Sequence, residues 1–258
     1  ATPNFPVVFA SSLTAQWTHN GNPTGTEYRV QSATEGGGFA EVVSTTGTSA
    51  VLTGLPVNTT SYVRVRASNA DGILTAFGAA FSTVTLAAVP GAAASTFTAV
   101  APSSLTVSWA LGLNPAGTEF RAQGSTSAAF NGGGDKASGW LAAQTTTFIG
   151  LSPDTTYYWR VAARNWNGVV SAPLDMGAQA TLAYEPALST APFHSVGVTS
   201  ATVQWEANGN PAATRYEVQA STAQSFAGTV FESGLVAFLS TSVAGLSVDT
   251  TYYWRVRA

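Results

Sequence analysis

Two histidines and thirteen carboxylates are the residues of this 258-residue chain that could carry acid–base or metal chemistry. They do not converge. His19 lies in a turn and His194 beside Phe193, in non-equivalent settings, and both read as polar surface residues. The carboxylates, from Glu27 to Asp175 and beyond, show neither the spacing of a catalytic pair nor that of a calcium loop. A zinc or hydrolytic centre would need further ligands that the sequence does not signal. Cysteine is absent, which removes disulfides, thiolate chemistry and Cys-based metal sites together. The glycine-rich runs "EGGGFA" (35–40) and "NGGGDK" (131–136) are followed by no helix and no Lys-Ser/Thr pair, so they read as loops and not phosphate cradles. No catalytic residue, cofactor site or metal site is expected.

Other candidates concern binding. "NADG" (69–72) and "NWNG" (165–168) carry the Asn, Asp and Gly that supply positive φ in tight turns. Trp166 lies at the tip of the second turn between two asparagines, where a large aromatic has little local purpose. It is a candidate for stacking on a glycan or inserting into a neighbouring module, against the alternative of folding back on its own sheet. "NTT" (58–60) matches an N-glycosylation sequon at Asn58, and no Arg-Gly-Asp triplet occurs.

Composition narrows the partners. Charged residues make up 9% of the chain, against a usual value of about 25%. Thr, Ser, Asn and Gln must therefore form most of the polar surface, which suits an extracellular or assembled protein. The net charge is −3 and basic residues do not cluster, which argues against nucleic acid and anionic membrane. No apolar run approaches the roughly 20 residues of a spanning helix, so no membrane insertion is expected. The segment "ATPNFPVVFA" lacks the basic start of a signal peptide. One lysine, Lys136, is the entire stock of the residue that usually guards sheet edges.

The elements that would position these residues repeat. "SSLTAQW", "SSLTVSW" and "TSATVQW" end at Trp17, Trp109 and Trp205, and Tyr28, Phe120 and Tyr216 follow each Trp at a fixed distance. "NGNPTGTEYRVQ", "GLNPAGTEFRAQ" and "NGNPAATRYEVQ" fill those intervals, and "SYVRVRA", "YYWRVAA" and "YYWRVRA" recur later in each copy. Phe5, Phe97 and Phe193 open the copies. Leu105, Val107 and Trp109 alternate with Thr106 and Ser108, the period-two signature of half-buried strands. No segment has helical periodicity, and Gly/Pro/Asn clusters punctuate short strands, which predicts sandwiches or barrels. The period is the size of a whole small domain.

With these landmarks in place, the chain resembles three tandem fibronectin type III modules. The family has a Trp on strand B, an aromatic opening strand C, and an E-to-F corner reading roughly Leu-x-Pro-x-Thr-x-Tyr. "LSPDTTYY" matches at Leu151, Pro153, Thr155 and Tyr157, and "LSVDTTYY" has Val248 in the Pro position. "LPVNTTSY" places Ser61 where the corner Tyr belongs, so that corner is expected to be looser. The resemblance implies an all-β fold with modules at 1–88, 89–184 and 185–258. Short linkers around Pro90 and Pro186 are expected to give a stiff string.

"YYWRVRA" (252–258) aligns with strand F of the second module, so the third module is expected to lack strand G. Its strand-F edge, at Tyr253, Arg255 and Arg257, is then a candidate for pairing by a neighbouring strand. That strand would come from further along a longer chain or from another subunit. The function expected is a non-catalytic structural and interaction role in a bacterial-type extracellular or cell-surface protein or filament. Its expected partners are further copies of itself, other surface proteins or glycans. The alternative is a spacer or carbohydrate-binding region of a secreted polysaccharide-degrading enzyme or adhesin.

Overall fold

A computed structural model describes residues 3–132 and 134–258. Gly133, within the run read above as a loop, and the first two residues of the segment tested as a signal peptide lie outside the described residues. The fold is all-β: six sheets form three sandwiches in tandem. The described residues contain no helix long and apolar enough to cross a membrane.

In the first sandwich, β1 (Asn4–Val8), β2 (Ser12–Gln16) and β5 (Ser49–Thr53) form one antiparallel sheet in the order β1-β2-β5. β3 (Glu27–Thr34), β4 (Ala40–Thr45), β6 (Thr60–Ser68) and β7 (Phe81–Val84) form the other, in the order β4-β3-β6-β7. Alternation decides which face is buried. Leu13, Ala15 and Trp17 meet Tyr28, Val30 and Val63 in one core, while the intervening residues face outward. Each such buried Val or Leu contributes about 1.5–3 kcal/mol.

The second sandwich repeats the plan. β8 (Gly91–Thr98), β9 (Ser104–Ala110) and β12 (Thr145–Ile149) are ordered β12-β9-β8. β10 (Glu119–Ser125), β11 (Lys136–Ala137), β13 (Thr156–Arg164) and β14 (Leu174–Ala180) are ordered β11-β10-β13-β14. The third has β15 (Ala187–Val196), β16 (Ser200–Glu206) and β19 (Ser240–Ala244) in the order β15-β16-β19. Its other sheet has three strands, β17 (Glu217–Ser221), β18 (Val230–Glu232) and β20 (Tyr253–Arg257), in the order β18-β17-β20. The sandwich thus has six strands where the others have seven, with β20 as an edge strand.

The chain forms two compact units. One comprises residues up to Thr96, Val107–Thr146 and Tyr158–Gly177, and the other Phe97–Thr106, Thr147–Tyr157 and Ala178–Ala258. The first contains the whole first sandwich, and the second the whole third sandwich.

Two of the three corners make the tyrosine hydrogen bond that the sequence suggests. The Tyr157 hydroxyl accepts a hydrogen bond from the Ser152 backbone N–H at 3.0 Å, and Tyr252 accepts one from Ser247 at 2.9 Å. In the first module Ser61 is fully buried and its hydroxyl finds no partner among the described residues. On the outer faces, hydroxyls pair across strands: Thr106 with Thr147 at 2.8 Å, Ser108 with Thr145 at 3.0 Å and Thr202 with Ser242 at 2.7 Å. These uncharged pairs supply cross-strand contacts where most proteins would place charges.

Candidate interface at the module junctions

Among the described residues, a connected set of polar side chains lies where one module hands over to the next. It is built from turn residues in three steps.

The first step ties the linker to the corner of its own module. In "TLA", Thr85 is fully buried, and its hydroxyl donates to the Pro56 carbonyl at 2.7 Å and accepts from the Thr59 N–H at 3.0 Å. Thr181 does the same with Ser152 (2.7 Å) and Thr155 (3.1 Å). The corner residues also donate backbone N–H bonds to the linker, Asn58 to Leu86 at 3.2 Å and Asp154 to Leu182 at 3.0 Å.

The second step reaches across. Asn58 and Asp154 adopt left-handed backbones, with φ of 46° and 45°, a conformation Asn and Asp tolerate better than most residues. The Asn58 amide donates to the Thr118 hydroxyl at 2.9 Å, and the Thr214 hydroxyl donates to the Asp154 carboxylate at 2.7 Å. Both pairs are separated by 60 residues. A hydroxyl can donate or accept, so Thr serves either an Asn or an Asp corner. Asn58 is 1% exposed and Thr118 0%. In the low-dielectric interior such a bond is strong, and leaving it unmade is costly.

The third step clamps the linker from the far side. The Asn114 side chain accepts from the Ala88 N–H at 2.8 Å and donates to the Ala88 carbonyl at 2.9 Å and the Leu111 carbonyl at 2.8 Å. Asn210 holds Tyr184 through the same two backbone groups, at 2.7 and 2.8 Å. Gly112, with φ of 66°, lets the linker approach closely: a Cβ there would lie 2.9 Å from the Val89 carbonyl oxygen.

One further residue joins the first junction. The Asn165 carbonyl oxygen accepts from the Asn167 and Val169 N–H groups at 3.1 and 2.8 Å, making the turn. Its amide nitrogen donates to the Val84 and Thr85 carbonyls at 3.4 and 3.2 Å.

The residues singled out in the sequence fall as follows. Trp166 sits at the first junction. Its backbone N–H donates to the Asn58 side-chain oxygen at 3.0 Å, its ring lies over Gly117, and it is 50% exposed. Asn58 carries the three-residue sequon match, a weak signal by itself. Both atoms of its amide are engaged and it is buried, so the "NTT" sequon offers no surface for a glycan. His19 is more than a surface residue, because its Nδ1 lies 3.0 Å from the Tyr28 hydroxyl.

Tyr253, Arg255 and Arg257 all lie on β20, which pairs with β17. Tyr253 is exposed, but the two arginines are held by their own sheet. Arg255 donates to Gln219 at 2.7 Å and lies over the Phe226 ring, and Arg257 donates to Glu217 at 2.7 Å. The Gln–Arg–Phe grouping occurs in all three modules, at Gln31–Arg64–Phe39, Gln123–Arg160–Phe130 and Gln219–Arg255–Phe226. Its recurrence marks it as part of the sheet's outer face, with Arg engaged through both its fork and its flat face.

Sequence reasoning passed over Thr85, Thr118, Asn114 and their counterparts. The signal was there: Asn and Thr recur at the same places in the "NP" turns, and "TLA" recurs before each linker.

Two sheets ordered as here, with the buried Trp between them and a tyrosine corner, define a tandem of fibronectin type III-like sandwiches. No family model matches the chain, and no curated protein matches it. Among solved structures it is similar to a two-domain fibronectin type III segment of chicken tenascin. That match has 18% identity and a TM-score of 0.46, and covers 70% of this chain and 98% of that one. It is also similar to the FN1-FN3 domains of chicken CNTN1, with 14% identity, a TM-score of 0.31 and coverage of 98% and 90%.

Proposed function

We propose that the chain is a non-catalytic structural segment of an extracellular or cell-surface protein of bacterial type. Its modules act as stiff spacers and as assembly contacts with further copies or with other surface proteins. The observation that carries this reading is the buried polar latch at the junctions, Asn58–Thr118 with Asn114–Ala88. A flexible tether would leave such linker groups to water, whereas here side chains bind the linker backbone from both modules. The charge-poor outer faces, covered by paired hydroxyls, suit lateral contact in which like charges would repel.

Electron microscopy and sedimentation velocity at rising concentration test the assembly part. Ordered oligomers or filaments are expected, and a chain that stays monomeric throughout refutes it. The half-exposed Trp166 ring favours a second reading, a carbohydrate-binding spacer. On that reading the chain retains an insoluble polysaccharide and Trp166→Ala abolishes retention; equal retention of both proteins rules it out.

A further inference from the structure

The face of the second module that receives the first is built from Asn114, Thr118 and Asn165. The third module presents Asn210 and Thr214 in the same roles. The first module carries the same set: Asn22, Thr26 and Asn69. Its turns are folded in the same way. Asn22 N–H donates to His19 O at 3.0 Å and Thr26 N–H to Pro23 O at 3.2 Å, as Asn114 does to Leu111 and Thr118 to Pro115. Asn69 accepts from the Asp71 and Ile73 N–H groups at 3.1 and 2.8 Å, as Asn165 does from Asn167 and Val169. That use of the oxygen leaves the exposed Asn69 its amide nitrogen, the atom with which Asn165 grips Val84 and Thr85. Together Asn22, Thr26, Asn69, Ile73 and Leu74 line a groove of about 730 Å³.

We propose that this groove is a docking surface for the corner-and-linker end of another module of the same kind, joined ahead of the first module in the same chain. Two occupied examples within the molecule define the occupant. The Thr26 hydroxyl donates to the Pro23 carbonyl at 2.8 Å and so stands ready to accept, which suits a left-handed Asn that donates to it as Asn58 does to Thr118. The occupant also presents the N–H and C=O of one linker residue to the Asn22 amide. At both observed junctions that linker residue lies 26 positions before the clamping Asn, so the geometry calls for a covalently connected module. The inference rests on reading the junction latches as what stiffens the string of modules, and it names the partner of one more such face.

The test repeats residues 1–92 ahead of the full chain, which restores the 26-residue spacing between the added Ala88 and Asn22. Hydrogen exchange is then followed at both Ala88 amides. Asn22→Ala is expected to speed exchange at the added Ala88 at least tenfold, and Thr26→Val to do so more weakly. Asn114→Ala should affect only the original Ala88. If Asn114→Ala speeds its own site while Asn22→Ala and Thr26→Val leave the added site unchanged, the docking proposal falls and the junction reading stands. If none of the three has an effect, both fall. Concentration-dependent association of the unextended chain that Asn22→Ala abolishes would assign the groove to a second copy and overturn the proposal.

Discussion

Replacing Asn114 by Ala isolates the clamp from the rest of the fold. Its side chain makes three hydrogen bonds, two to Ala88 and one to Leu111, and it is 5% exposed. A typical bond is worth about 0.5–1.5 kcal/mol net, and truncation strands three backbone groups that are only partly reachable by water, so about 2–3 kcal/mol is expected. The chain has several modules, so a single global unfolding free energy is the wrong observable. Local opening read by hydrogen exchange at Ala88 is the right one, and a loss of this size accelerates exchange by about 30- to 150-fold. Asn22→Ala in the same chain is the matched control. It has the same residue type and the same turn, but its side chain faces the open groove, and a change within about 0.5 kcal/mol is expected. The reasoning is refuted if Asn114→Ala and Asn22→Ala have the same small effect on their surroundings. That result would mean water replaces the Asn114 amide at no cost and the clamp holds nothing.

Gly124→Ala should destabilise the second module by about 1–3 kcal/mol in chemical denaturation, through overpacking. A Cβ at Gly124 would lie 2.6 and 2.8 Å from the Cη2 and Cε3 atoms of the buried Trp159. Tyr28→Phe should cost about 0.5–1.5 kcal/mol, because it removes the bond to His19. Tyr216→Phe should be neutral or stabilising by up to about 1 kcal/mol, because that buried hydroxyl has no partner among the described residues. Equal losses from these two substitutions, measured by tryptophan fluorescence in urea, would remove the distinction. Ser61→Ala should likewise be neutral or slightly stabilising, since it deletes a buried and unpartnered hydroxyl. A clear loss in melting temperature would show that Ser61 works as a corner in its own way.

The three sandwiches were legible because two independent signals agreed: period-two alternation through Leu105, Val107 and Trp109, and the recurrence of Trp, aromatic and corner at domain-sized intervals. The junctions were not. Asn114 and Thr118 belong to residue types that turns favour for purely local reasons, and a local reason seemed sufficient. Nothing in the sequence says that an Asn amide with its backbone already committed to a turn will point at a linker 26 residues upstream. The role of Asn58 is hidden for the same reason. Three residues match a sequon on local grammar alone, whereas the amide is buried by a module whose approach only the tertiary structure supplies. Trp166 was noticed because it is unusual at a turn tip. Its neighbour Asn165, which makes the deeper contact, was unremarkable there.

The latch also explains why turns carry the junction at all. Strand residues are already committed: their backbones to the ladder, and their side chains to the core or the outer face. Turn side chains at the ends of a sandwich are the polar groups free to reach another module. Each one here does two jobs with separate atoms. Asn165 folds its turn through its oxygen and grips the preceding module through its nitrogen. Thr85 fixes its own corner with its hydroxyl while its carbonyl receives Asn165. Because the same atoms' positions are set by the fold of each module, a docked junction needs little further ordering of side chains, and the entropy that usually opposes an exposed polar contact is largely spent already. The corner then decides the direction of one bond: Asn58 donates to Thr118, whereas Asp154 accepts from Thr214. Exchanging Asn58 for Asp should therefore preserve the bond to Thr118 by reversing it. It would also leave a carboxylate to receive the Trp166 N–H, so the first junction should tolerate the change far better than Asn58→Leu.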